Sequence, residues 1–275
     1  MAELTPMMKQ YLELKEQYKD VILFFRLGDF YEMFFEDAIL ASRELEITLT
    51  GRDCGQEKRA PMCGVPFHAV QNYIAKLIEK GYKVAICEQL ENPEEAKGIV
   101  KRDVIRIITP GTVVETNMLE EKQNNYIMSI FKTGLFFGIA ICDISTGDFY
   151  SSEIAKENNF YKLLDEIAKY NPAEIIVNKE LYDCNIETEK IKERFNTYIS
   201  NFDMETIGDL ATSATTGLMN YLQQTQKIPL EHINKIQKYS ISEYMSLDIN
   251  ARRNLELTEK LRDKSKIRNS FVGTG

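Results

Sequence analysis

Phe30 and Glu32 are the residues with most chemistry to offer. They follow an apolar run, Val21-Ile22-Leu23-Phe24-Phe25, then Arg26-Leu27 and a Gly28-Asp29 breaker pair. In extended backbone, residues two apart point the same way, so Phe30 and Glu32 share a face while Tyr31 points to the other. The ring offers a stacking surface, and the acid offers charge or a hydrogen bond. An apolar ring beside an acid at the tip of a rigid strand reads as a probe. Taken alone the triplet decides little, because Phe-x-Glu arises readily by chance and Phe in a strand is ordinarily core.

Asp143 and Asp148, in Cys-Asp-Ile-Ser-Thr-Gly-Asp, form the other constellation to weigh. An acid on the first strand of a meander could be the first metal ligand of an RNase H-like nuclease. The plainer reading makes both aspartates turn-formers that hydrogen-bond the tight Ser-Thr-Gly turn. That reading is preferred, because no further acid pair in a matching context completes a two-metal site. Phosphate-binding loops of the form G-x-x-x-x-G-K-[ST] or G-x-G-x-x-G are absent, as is G-x-S-x-G. The two histidines, His68 and His232, stand far apart.

The elements that must position these residues are mixed. Thr5-Pro6 reads as the N-cap and N1 of a first helix. A buried strand covers 21–26, a second helix starts near Phe34, and Ile47 to Thr50 reads as a strand. A polar stretch from Gly51 to Arg59 then leads into Pro61-Met62-Cys63-Gly64-Val65-Pro66. The strongest amphipathic pattern predicts a helix over His68 to Lys80, with Val70, Tyr73, Ile74, Leu77 and Ile78 on one face and Gly81 as the terminating glycine. Strands at 83–88 and 104–109 complete a first domain over 1–115. Residues 116–125 are polar and aperiodic, as a linker is. A second domain over 126–240 opens with a hairpin (126–131 and 135–143) and a third strand at 149–154. Helices near 158–169 and 186–194, short strands at 174–177 and 198–199, and a long helix over 205–226 follow. From about Leu230 the texture becomes helical and polar. Residues 250–262 read as the start of something longer, which makes the chain the N-terminal part of a larger protein.

Composition narrows the function. The 275 residues carry 34 Lys and Arg against 42 Asp and Glu, a net charge of −8. Non-specific attraction to nucleic acid rests on neutralising phosphates, so this chain does not live on bulk electrostatics. Five scattered cysteines without a C-x-x-C pair argue against structural zinc and for reduced thiols. With no signal peptide or membrane-length apolar run, the expectation is a soluble, cytoplasmic protein.

Several segments together resemble the MutS family of DNA mismatch-recognition proteins. They are Gly28-Asp29-Phe30-Tyr31-Glu32-Met33-Phe34, Pro61 to Ala69, Val84 to Gln89, Arg106 to Thr112, Asp143 to Gly147 and Arg252 to Leu257. Ordered matches along nearly the whole chain are far more specific than the triplet. The resemblance implies an α/β chain: a mixed α/β mismatch-binding domain, an RNase H-like connector domain, and over 241–275 the start of a helical lever or core domain. It implies binding of double-stranded DNA with mismatches or small loops. Phe30 would be the wedge that stacks on the mispaired base, and Glu32 the acid that discriminates.

A mispaired base is weakly held, so unstacking it costs less, and a wedge in the minor groove kinks such a site more readily. A carboxylate among phosphates is repelled by intact DNA, whereas on a mispair it can take up a proton and donate to a purine acceptor. His68, Arg106, Lys58 and Arg59 are the candidate DNA-backbone contacts. His68 stands at a helix start, where free N–H groups favour a phosphate. For the full-length protein the resemblance implies ATP and Mg²⁺ as cofactors, a MutL-type partner and a homodimer. The ATPase domains would lie beyond Gly275, which leaves no catalytic residue in this stretch.

Overall fold

The computed structural model describes residues 3–91, 98–114, 124–155, 159–231, 233 and 235–241. The chain divides into two compact units. The first comprises Met1–Gln123 with Leu222–Pro229, and the second Asn124–Tyr221 with Leu230–Gly275.

The first unit is built on β1 (Ile22–Leu27), the apolar run noted above. It is buried because it is paired on both sides: antiparallel to β2 (Phe30–Phe34) and parallel to β5 (Val84–Gln89). With β3 (Thr50–Arg52), β4 (Ala60–Pro66) and β6 (Arg102–Ile108), the six strands lie in the order β3-β4-β2-β1-β5-β6. Strand alternation sends Leu23 and Phe25 to one face, where they meet Met8, Tyr11 and Leu14 of helix α1 (Pro6–Gln17). Ile22 and Phe24 go to the other face, with Ala38 and Ala41 of α2 (Phe35–Leu45) and Ile74 and Leu77 of α3 (Val70–Glu79). Asp37 ties the layers together. Its carboxylate accepts from Tyr11 Oη (3.1 Å), Leu23 N (3.0 Å) and Lys15 Nζ (2.8 Å).

Two local expectations are corrected in this unit, and two strands appear where none was assigned. Residues 47–49 are not strand; Glu46 closes α2 in the left-handed region (φ 57°), and pairing with β4 begins only at Thr50. Residues 60–66, to which no element was assigned, form β4 and pair along the whole of β2. Pro61, Gly64 and Pro66 hide the strand pattern there, since each is normally a strand breaker. Residues 30–34 are a strand in their own right. The helix expected from His68 begins instead with a 3₁₀ turn over Phe67–Ala69 and becomes α-helical at Val70. Gly81 does sit in the left-handed conformation (φ 83°) after it.

The second unit holds β7 (Tyr126–Thr133), β8 (Phe136–Asp143) and β9 (Phe149–Ile154) as an antiparallel meander. Strand β10 (Glu174–Val177) runs parallel to β7, and β11 (Tyr198–Asn201) parallel to β10. With β12 (Ile236–Lys238) at the other edge, the order β11-β10-β7-β8-β9-β12 is the mixed, RNase H-like sheet that the resemblance implied. The helices are α4 (Asn159–Tyr170), α5 (Lys179–Tyr182), α6 (Asn185–Arg194) and α7 (Leu210–Gln226), the last counted here up to Tyr221. The long helix starts at 210 rather than 205, where Asp209 Oδ1 caps Thr212 N at 2.6 Å.

The helical texture expected after Leu230 is also corrected: Ile236–Lys238 forms β12, an exposed edge strand parallel to β9. Three residues are too few to show a period. The expected linker falls largely, and the expected core-domain start over 241–275 almost wholly, outside the described residues.

Gly138 is the tightest point of this second core. A Cβ there would stand 1.9 Å from the carbonyl oxygen of Leu210, at the start of α7. Backbone cannot yield as a side-chain tip can, so Gly138→Ala is expected to cost the second unit about 3 kcal/mol. Urea unfolding of variant and parent compares the two directly; equal midpoints would contradict the close approach.

Candidate nucleic-acid interface

Gly28-Asp29 is a two-residue hairpin turn, with Leu27 paired to Phe30 across it. Gly28 has φ of 56°, as the first residue of a type II′ turn requires. The turn places Phe30 at the rim, paired on its other side with Pro66. Phe30 is 47% exposed, while Phe25 and Phe34 in the same two strands are fully buried. Tyr31 turns to the opposite face, where it is buried with its ring 6.2 Å from Phe24. Its hydroxyl donates to Glu88, and burial together with that carboxylate pushes the phenol well above its ordinary value. Tyr31 is packed in the core, and Phe30 is half-exposed.

Glu32 stands opposite Phe25 on one side and Gly64 on the other. Its carboxylate accepts from Arg52 Nη1 in a close ion pair. Phe30, Glu32, Ile47, Thr50, Met62 and Gly64 line an open pocket of about 620 Å³. The ring and the acid therefore border one concavity, as the two-residue spacing required. Arg52 was missed by sequence reasoning. Nothing in the polar run Gly51 to Arg59 distinguishes it from its neighbours, because its partner lies 20 residues away.

The proposed backbone contacts separate. His68 is exposed beside Phe67, their rings 5.9 Å apart and edge-on, and Phe67 N donates to Asp29 O at 2.9 Å. His68 is thus close in the fold to the turn that carries Phe30. Phe67 in turn carries the Arg26 guanidinium 4.0 Å over its ring. Lys58 and Arg59 are exposed between β3 and β4, at the opposite end of β4 from Phe30. The six-residue step from Ala60 to Pro66 places them roughly 20 Å away. Arg106, on β6, is half-buried and donates to Thr112 O and Gln226 Oε1, both at 3.1 Å. Its guanidinium serves the protein itself in this structure.

The family model for MutS domain I matches residues 5–117, and that for MutS domain II matches residues 125–234. The chain belongs to the MutS family. Among its relatives are proteins named DNA mismatch repair protein MutS from Ruminiclostridium cellulolyticum, 59% identical over 97% of this chain and 33% of the relative, and from Acetivibrio thermocellus, 58% identical over 97% and 33%. A third, from Lachnoclostridium phytofermentans, is 53% identical over 97% and 31%. The chain spans about a third of the length of these MutS relatives.

Within the region that matches MutS domain II, Asp143 is fully buried and closes the β8–β9 turn. Oδ1 accepts from Ser145 N (2.8 Å), Ser145 Oγ (2.6 Å) and Thr146 N (3.4 Å), while Oδ2 accepts from Asn125 N (3.1 Å). Asp148 accepts from Thr146 Oγ1 at 2.9 Å. Both aspartates are turn-formers. No group of three or more His, Cys, Asp or Glu that could hold a metal occurs among the described residues, so the nuclease alternative has no support. All five cysteines are free, and burial pushes the Cys63, Cys87 and Cys142 thiols up to about 12. No helix among the described residues is long and apolar enough to cross a membrane.

Asp143→Asn would turn one acceptor oxygen into a donor facing donors. The expected loss is about 1–3 kcal/mol, the cost of a buried unsatisfied group. Thermal melts with and without millimolar Mg²⁺ separate the two roles: a turn-former gives the same shift in both, whereas a metal ligand gives a Mg²⁺-dependent midpoint that the variant loses.

Proposed function

We propose that this chain supplies the mismatch-recognition and connector portion of a MutS-type DNA repair protein. Phe30 stacks on the mispaired or looped base, and Glu32 discriminates. The observation that carries this reading is a half-exposed phenyl ring at the rim of a hairpin whose other rings are buried, sharing a pocket with a carboxylate. A ring so exposed is available for stacking, and stacking on a base is worth about 1–3 kcal/mol whichever base is present. The names of the relatives, DNA mismatch repair protein MutS, agree with it.

The substrate is duplex DNA. With a net charge of −8, the chain has little general attraction for phosphates, so recognition rests on this local surface. On paired DNA the ring finds no softened step to enter, and the Glu32 charge opposes close approach. On a mispair the ring enters, and Glu32 reaches a base edge where, protonated, it donates a hydrogen bond. His68, near the same turn, is the backbone contact best placed to assist, ahead of Arg106, Lys58 and Arg59. In the whole protein, the second unit relays state to ATPase domains served by ATP and Mg²⁺ and meets a MutL-type partner. That protein works as a cytoplasmic homodimer.

Fluorescence anisotropy of the full-length protein on G·T and matched duplexes tests the assignment. Phe30→Ala is expected to reduce the preference for the mispair by about tenfold or more, the equivalent of the lost stacking. Glu32→Ala is expected to keep or raise affinity for the matched duplex. Equal loss on both duplexes in the Glu32 variant would remove its discriminating role, and an undiminished preference in Phe30→Ala would remove the wedge.

A further inference from the structure

We infer that Arg52 restrains Glu32 and thereby sets how sharply this surface separates mispaired from paired DNA; the inference rests on the roles proposed above for Phe30 and Glu32. Arg52 Nη1 is paired with Glu32 Oε2, the two side chains being 38% and 15% exposed. They come from strands that are not neighbours, since β4 lies between β3 and β2. Glu32 is paired with Gly64 of β4, where even a Cβ would come to 3.4 Å from Glu32 Cγ, while Arg52 is paired with Ala60 further along the same strand. The stem of Glu32 therefore lies against bare backbone, and the Arg52 guanidinium reaches its carboxylate. Glu46 lines the same pocket as Glu32 and so adds a second carboxylate beside it.

A carboxylate already in an ion pair has to leave its partner before it can turn to a base edge. That cost falls on the mispaired complex alone, because only there does Glu32 leave. On paired DNA the ion pair stays closed and part of the carboxylate's repulsion by phosphates is offset. Both effects compress the difference between the two duplexes. A guanidinium remains charged throughout the physiological range, so the Arg52 side of the pair is always available. Arg52 is in this sense a positioning residue: it acts on DNA through Glu32.

A double-mutant cycle in the full-length protein reads this directly, because it isolates the coupling between the two side chains. The measured quantity is the ratio of affinities for G·T and matched duplexes at fixed salt, which cancels any phosphate contact that Arg52 makes equally with both. Arg52→Gln is expected to raise that ratio by about threefold to fivefold, the scale of a partly exposed ion pair. Arg52→Lys, which keeps the charge, should stay closer to the parent ratio. In a Glu32→Gln background, Arg52→Gln should leave the ratio unchanged. The inference is overturned if Arg52→Gln leaves the ratio unchanged or lowers it in the parent, or if it shifts the ratio equally in both backgrounds. Phe30→Ala in the same assay keeps the two levels apart. If it retains the preference, the underlying wedge reading fails. If it loses the preference while Arg52→Gln changes nothing, only the role of Arg52 fails.

Discussion

A phenyl ring can be held out in water at a fixed position only if the strand carrying it has nowhere else to go. β2 meets that condition. It is hydrogen-bonded on both edges, to β1 and β4, and its inward residues Tyr31 and Met33 are buried in the core under α2 and α3. Sliding by one residue to bury Phe30 would turn Tyr31 and Met33 outward, because side chains alternate strictly along a strand. Those two burials outweigh the single ring left at the rim, at about 1.5–3 kcal/mol for each large apolar side chain. The exposed ring is thus stabilised by its neighbours, and the Asp37 network pins α1 and α2 to the strand on which they depend.

This explains which parts of the structure were legible from the residues. β1 is an uninterrupted apolar run bounded by a Gly-Asp pair, and α3 carries its stripe at helical spacing; both patterns survive without tertiary context. The shared side of Phe30 and Glu32 follows from the period of two, and the pocket they border bears it out. β4 was hidden because its propriety as a strand lies in its partners: Pro61 and Pro66 tolerate the position, and Gly64 leaves room for Glu32. β12 is three exposed residues that pair only because β9 presents an edge. The Arg52–Glu32 contact belongs to the same class. It is created by a sheet order that no local pattern encodes, and the basic residues picked from the same segment, Lys58 and Arg59, lie at the far end of β4 from Phe30.

The second unit shows the opposite balance. Its turn Asp143 to Asp148 was read correctly as a turn because the chemistry is local: one carboxylate within reach of the donors of Ser145 and Thr146. The same locality removes the metal-site alternative. Four donors converge on Asp143, and a carboxylate so occupied offers a cation nothing without unmaking the turn that positions it.

The two carboxylates, Asp143 and Glu32, then differ in the way that separates structure from recognition. Asp143 is enclosed by donors from its own turn and the chain beside it, so its hydrogen bonds form whenever that unit folds. Glu32 has one strong partner, on another strand, at the edge of an open pocket. A single, partly solvated ion pair is worth little enough to be exchanged, yet enough to favour one orientation in its absence of competition. In the role proposed for Glu32, that intermediate strength suits a group that stays turned aside until a base edge is offered. A fully satisfied acid could not leave its place, and an unpaired one would meet every phosphate with its full charge. In the proposed reading the rigid ring and the exchangeable acid are complementary: β2 fixes where contact occurs, and the strength of the Arg52 pair fixes what that contact must supply before Glu32 responds.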